Sequence, residues 1–591
     1  MRFTFAVAAV VGMAALVGCA VHDGPAPLFS ADPMSPDNPL PDERTGDVLR
    51  PDWAFPFLPL PAWTLASEET FAAWGEALAG QGWGTTAPVF VRFAAPLSEK
   101  QADKLTAGAA LFVQLDGELA PQAAVTTWIA DPGTLIARPP TPLPESSRLA
   151  LVVLRSLVPG QSLARSEAFE AFARGEGKAD LERAAAAAGV AVDDIALLVA
   201  YRTGAPADGL VRARAGALAA GAPSVAFGSA LPVDQLSGDL AAQATRLPPG
   251  ARVAEGSFAS LDLRVPGDED DAGVGLWDQA YQDDVGAAPR ATLLLVLVLP
   301  DPARFPPPWP TVIAQHGFND DRTFGAKVGR AFVEQGRAVL AMDAASHGER
   351  GSAAGLIRLD SPRVFRDHMR QSALDLVQLI SVVQGGDIDV DGVAGRDLDG
   401  TVSYFGHSMG TIIGGLLLGI EDRIDAAVMN APGASYQDLF QQGRLRGSVS
   451  FLLKPALGLR VDDPAYDDAL PFCAGAVESI LEAADPLAYA HRHAQVAPPV
   501  LLQVNLGDGL LANGASYAWG DALHVQVAAA PVDDGAAHDA LWTLDPAAFG
   551  YPEDDDPHGM HTFAGAPGIH DQAAAFLSST GRRLVDPLAA P

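Results

Sequence analysis

Residues 396–420 read RDLDGTVSYFGHSMGTIIGGLLLGI. Thr401 to Phe405 is a short β-branched and aromatic run, the composition of a buried strand. Gly406-His407-Ser408-Met409-Gly410 follows at once, and Thr411 to Leu418 continues as an apolar, glycine-dotted helix. A serine between a strand and a helix sits in a strained turn that needs glycine on both sides, and the strain lifts its hydroxyl above the sheet edge. In a chain with 59 glycines, a bare G-x-S-x-G match is expected roughly 0.3 times by chance. The strand before and the helix after it therefore carry the reading of Ser408 as a nucleophile.

The surrounding sequence alternates strand and helix from Ala291 onward. Thr292–Leu299 and Pro310–Ala314 are continuous apolar runs, as in strands covered on both faces. Val328–Gln335 reads as a helix, Ala338–Ala341 as a strand and Gln371–Gln384 as an amphipathic helix; Ala426–Met429 and Pro499–Val504 are later strands. This pattern predicts a mostly parallel sheet with helices on both faces and active residues at the carboxyl ends of its strands.

A serine hydroxyl is a poor nucleophile at neutral pH, so Ser408 needs a base, an acid to orient that base, and donors for an oxyanion. Phe318 follows the strand ending at Ala314, which makes its N–H the first expected oxyanion donor; the N–H of Met409 is the second. His316 precedes the nucleophile and reads as a turn residue. Asn505-Leu506-Gly507-Asp508 directly follows the strand Pro499–Val504, and Asp508 is the expected acid. His558, His561 and His570 all precede an apolar helix at Gln572–Leu577. His561 is favoured because Phe563 gives it an apolar wall, while His558 follows the charged run Glu553–Asp556 and stays as the alternative. Asp387-x-Asp389-x-Asp391-Gly392 opens like a calcium loop, but Leu398 occupies its twelfth position, so an Asp-rich turn is expected, with no metal and no cofactor. Residues 433–494 lie between two strands and are too long for a simple connection; they read as a cap over the site or as a plain helical excursion.

At 591 residues the chain is too long for one ordinary core. A formal charge of −33 without a Lys/Arg cluster excludes nucleic acid as the main partner. Residues 1–19 have the form of a secretory signal, with Arg2, an apolar run from Phe3 to Val17, and Leu16-Val17-Gly18-Cys19 at its end. That ending resembles a bacterial lipobox, which makes Cys19 a candidate for lipidation. Residues 20–53, rich in Pro and Asp, read as a tether. Residues 54–290 read as a β-rich domain of immunoglobulin-like type with a helical insertion, and 291–582 as the catalytic domain.

Residues ~310–580 resemble an α/β-hydrolase, and the whole chain resembles bacterial lipases of the virulence-factor type. The matching pieces are Pro39–Asp42, Ala87–Leu97, Gln315–Phe318, Asp343 with Ser346–Gly348, the 406–410 turn, Asp485–Ala490, and Gly507-Asp508 with Asn513. The resemblance departs at Leu511-Ala512, where Val-Pro is usual. It implies a serine lipase or esterase, with lysophospholipase-like substrates, in an exported lipoprotein of the cell envelope and its outer membrane. A peptidase or amidase of the same fold, and a non-catalytic surface binding protein on a hydrolase scaffold, are the alternatives.

Overall fold

The computed structural model describes residues 23–45, 65–130, 133–267, 274–356, 358, 361–385, 388–390, 395–456, 460, 465–496, 498–550, 561 and 565–589. The signal segment with Cys19, the alternative base His558, Phe563, and Asp387 and Asp391 lie outside the described residues.

The apolar runs assemble into an eleven-stranded sheet. Its body is β1 (Arg252–Leu261), β2 (Arg290–Leu299), β3 (Trp309–Gln315), β4 (Ala338–Met342), β5 (Leu398–His407), β6 (Ala427–Asn430), β7 (Val500–Asn505) and β8 (Ala540–Leu544). The order is β1-β2-β4-β3-β5-β6-β7-β8. From β4 through β8 neighbouring strands are parallel, and β2 runs antiparallel to both its neighbours. Helices α1 (Phe324–Val333) and α9 (Pro567–Ser578) cover one face. The other face carries α2 (Pro362–Gly385), α3 (Met409–Leu418) and α7 (Pro486–Val496). With the serine turn leading from β5 into α3, this is the α/β-hydrolase fold.

Two expected boundaries move. The catalytic sheet does not start at 291: β1 pairs with β2 from Arg252↔Leu299 to Leu261↔Arg290. Its sequence, RVAEGSFASL, mixes polar with apolar residues and lacks the continuous apolar run of the central strands, which is why sequence alone assigns it elsewhere. Residues 23–45 are also not a free tether. Leu40 exchanges backbone hydrogen bonds with Phe90, at 3.0 and 2.8 Å, and Phe29 packs edge-on against Phe169. Anchors this widely spaced leave no periodicity to read.

The N-terminal region is β-rich. One antiparallel sheet holds Val89–Arg92, Thr134–Arg138 and Val125–Ile129; a second holds Gln122–Ala123, Ala110–Gln114, Arg148–Leu154 and Ile195–Arg202. Helices Glu167–Arg174 and Lys178–Ala188 intervene before the last strand. A further helix, Asp208–Ala219, packs against α2 and so joins this region to the catalytic one. Between β6 and β7 the chain forms α4 (Tyr436–Gln441), α5 (Gly443–Ala456) and α6 (Ala465–Leu481) before α7, and α8 (Asn513–Ala522) follows β7.

Candidate active site

Ser408 has φ 53° and ψ −117°, in the region that side chains other than glycine rarely adopt. Contacts around the turn show why its flanks are glycine. A Cβ on Gly406 would lie 2.5 Å from the Gly410 carbonyl oxygen, and one on Gly410 would lie 2.3 Å from that of Gln315. The strained conformation is held by its neighbours: Thr411 donates both its N–H and its hydroxyl to the Ser408 carbonyl, each at 2.7 Å. The Tyr404 hydroxyl donates to the Gly410 carbonyl at 2.6 Å.

His561 stands between Ser408 and Asp508. Its Nε2 is 2.9 Å from Ser408 Oγ and its Nδ1 is 2.8 Å from Asp508 Oδ2. Asp508 sits just past the end of β7, and the N–H groups of Leu510 and Leu511 donate to its other oxygen at 2.9 and 3.0 Å. With Oδ1 occupied, Oδ2 is left to accept from the imidazole, which fixes the ring with Nε2 free to accept a proton from the serine. All three side chains are buried.

The other histidines do different work. His316 is fully buried, with Nδ1 2.8 Å from the Gly317 carbonyl and Nε2 accepting the Ala344 N–H at 3.0 Å. Those bonds specify one neutral tautomer, and burial lowers its pKa. His570 lies on the first turns of α9 with its ring edge-on to Phe405, and burial and the neighbouring His407 push it down to about 3.

Phe318 and Met409 flank the serine. The Gly317 backbone comes so close that a Cβ there would lie 3.2 Å from Ser408 Cβ. Met409 opens α3, where N–H groups have no acceptor inside the helix. No backbone acceptor takes the Phe318 N–H among the described residues. Phe318 and Met409 line the same cavity as Ser408.

A cavity of about 200 Å³ opens on Ser408. Leu439, Phe440, Leu445, Val449 and Leu453 from α4 and α5 form one wall, and Cys473, Ala474 and Val477 of α6 form another. Burial pushes the Cys473 thiol up to about 12, so it acts as a small apolar side chain. Side chains of α4, α5 and α6, all within residues 433–494, therefore form part of the cavity wall beside the serine.

The sequence gives no sign of the polar chain under the site. His407 Nδ1 is 2.7 Å from Asn430 Oδ1, Asn430 donates to Gln503 at 2.9 Å, and Gln503 donates to Gln572 at 2.9 Å. This chain ties β5, β6, β7 and α9 together beneath the His561 ring, which lies 5.5 Å from that of His407. Its members come from four distant segments, and only the sheet order brings them into line. Among the described residues no cluster of His, Cys, Asp and Glu could hold a metal ion.

No family model matches the chain, and no curated protein matches it in sequence. Among solved structures it is similar to the acetyl xylan esterase from Paenibacillus sp. R4, at 13% identity over 60% of this chain and 92% of that one, with a TM-score of 0.35. It is also similar to acetyl xylan esterase 1 from Thermoanaerobacterium sp. JW/SL YS485, at 15% identity over 60% of this chain and 94% of that one, with a TM-score of 0.33. A third similar structure is the CE15 glucuronoyl esterase from Teredinibacter turnerae T7901, at 15% identity over 58% of this chain and 78% of that one, with a TM-score of 0.30.

Proposed function

We propose that this protein hydrolyses carboxylic esters with an apolar acyl group, through an acyl-enzyme on Ser408. The observation that carries the reading is the unbroken hydrogen-bond chain from Ser408 through His561 to Asp508, set at the mouth of an apolar cavity. Ser408 Oγ attacks the ester carbonyl while His561 Nε2 takes its proton, and Asp508 stabilises the imidazolium through Nδ1. The oxyanion forms beside the N–H groups of Phe318 and Met409. His561 then returns the proton to the leaving alcohol; water repeats the sequence to free the acid. The cavity favours a hydrocarbon acyl chain, hence lipase-type or lysophospholipase-type substrates.

In the same reading the protein is an exported lipoprotein held at a membrane through lipid on Cys19, and its two N-terminal sheets form an immunoglobulin-like sandwich. The lipobox-like residues 16–19 support the anchor. No helix among the described residues is long and apolar enough to cross a membrane.

A fluorophosphonate probe and a panel of p-nitrophenyl esters and peptide anilides test the catalytic reading. Labelling at Ser408 with ester turnover and no anilide turnover is expected. Labelling at another serine, or anilide cleavage that outpaces ester cleavage, would refute it.

A further inference from the structure

A second cavity, of about 530 Å³, lies between the N-terminal region and the catalytic domain. Arg363, Arg366 and Arg370 line it from one face of α2, at the i, i+3, i+7 spacing that stacks side chains on a helix, and Arg212 reaches it from the facing helix Asp208–Ala219. In a chain of net charge −33, four guanidinium groups around one cavity need a reason.

The acidic groups there do not balance them. Asp367 takes both Arg366, at 2.8 Å, and Arg370, at 2.9 Å, so one carboxylate faces two guanidinium groups. Burial alone would raise its pKa, but those two charges outweigh it and hold it down at about 2. Asp208 lies 3.2 Å from Arg492, which it shares with Glu145 at 2.6 Å, so it supplies at most one further negative charge against the four guanidinium groups. Glu482 is turned away towards Thr85 and Thr86. Among the described residues, neither Arg212 nor Arg363 has an ion-pair partner.

Two buried donors in the cavity are also unused. Arg370 is 5% exposed and stacks 3.8 Å over the Trp277 ring, yet its Nε has no partner; the Trp277 Nε1–H, equally buried, has none either. Water could satisfy those donors, but it would leave the excess positive charge in place. A ligand that brings several acceptor oxygens and negative charge answers both deficits, and guanidinium forks match such oxyanions in geometry.

We propose that this cavity is an anion site that binds phosphate, free or as a monoester, through Arg363, Arg366 and Arg370, with Arg212 at its edge. The site is separate from the Ser408 cavity and does not depend on the ester-hydrolase reading. Pro362 and Phe365 of α2 line the Ser408 cavity, so the same helix serves both.

Calorimetric titration of the full chain with inorganic phosphate, glycerol 3-phosphate and acetate, at constant ionic strength set by sodium chloride, tests the proposal. Saturable binding of phosphate is expected below about 20 mM, weakened about tenfold or more in Arg363→Gln and unchanged in the remote Arg290→Gln. Arg363 is half-buried and unpaired, so its variant folds even if Arg370→Gln does not. Tighter binding of glycerol 3-phosphate than of inorganic phosphate identifies a monoester as the ligand; equal binding identifies the free ion. No saturation, equal affinity in Arg363→Gln, or acetate binding as tightly as phosphate overturns the proposal.

Discussion

Ala474→Phe should shorten the acyl chain that the enzyme prefers. Ala474 is buried in α6 and lines the Ser408 cavity, whose volume is about 200 Å³. At ~30 Å³ for a group the size of water, that space holds roughly seven methylene-sized groups. Each methylene that leaves water contributes ~0.8 kcal/mol, so kcat/KM of the parent on p-nitrophenyl esters should climb about fourfold per carbon up to chains of about eight carbons. A phenyl ring that takes the room of four methylenes removes ~3 kcal/mol from the octanoate transition state, about 200-fold. Acetate, which does not reach the ring, should stay within about threefold. Overpacking can destabilise the variant by ~1–3 kcal/mol. That loss lowers the active fraction for both substrates alike, so the octanoate-to-acetate ratio isolates the cavity effect. An unchanged ratio in the variant, or a parent profile already flat from acetate, would refute the assignment of this cavity to the acyl chain.

Ser408→Ala should abolish ester turnover and fluorophosphonate labelling while leaving the thermal unfolding midpoint within a few degrees. His561→Ala should cost ~10³-fold or more in kcat on a short ester, because no other ring contacts both Ser408 and Asp508 among the described residues. Cys19→Ser should move the protein from the membrane to the soluble fraction; retention there would remove the lipid anchor from the reading. Burial raises Glu482 from 4.5 to about 7, against its hydrogen bonds from Thr85 and Thr86. A raised folded pKa favours the folded state below the unfolded pKa, and that advantage disappears as pH rises through 7. The unfolding free energy of Glu482→Gln relative to the parent should therefore gain ~3 kcal/mol between pH 4 and pH 8 in urea titrations, and a pH-independent difference would contradict the burial argument.

The catalytic half was legible because its signals are local. A continuous apolar run, a glycine-flanked serine and an aspartate one loop past a strand each report their own surroundings, whereas the chain order of serine, acid and histidine leaves three histidines open, and only the folded chain puts the His561 ring between Ser408 and Asp508. Elements whose role depends on distant partners were not legible. β1 reads as part of the N-terminal domain because its place is set by the ten-residue ladder to β2 rather than by its own pattern. Phe29 and Leu40 look like tether residues until Phe169 and Phe90 are placed beside them. The arginine spacing on α2 is visible in the sequence, but only the facing helix and the Asp367 pairing show that its charge is uncompensated.

The N-terminal region braces the cavity beside Ser408 without contributing to the hydrogen-bond chain of Ser408, His561 and Asp508. One stripe of α6, with Leu470, Cys473, Ala474, Val477 and Leu481, faces the Ser408 cavity. The opposite side is held by N-terminal residues: Phe472 packs on Phe90 at 5.1 Å, and a Cβ on Gly475 would lie 2.5 Å from Pro88. At the end of the helix, Glu482 accepts hydrogen bonds from Thr85 and Thr86, and Glu478 accepts from Thr86 and from the Gln437 N–H of α4. Asp485 accepts the Ser435 and Tyr436 N–H groups, each at 2.9 Å, which fixes the start of α4. One buried acidic cluster thus joins the loop before Val89–Arg92, the cavity wall α6 and the cavity wall α4. Carboxylates this deep are stable only with every oxygen occupied or protonated, so a displacement of the 85–86 loop would leave them unpaired. The cavity wall formed by α6 is therefore braced from behind by residues 85–90.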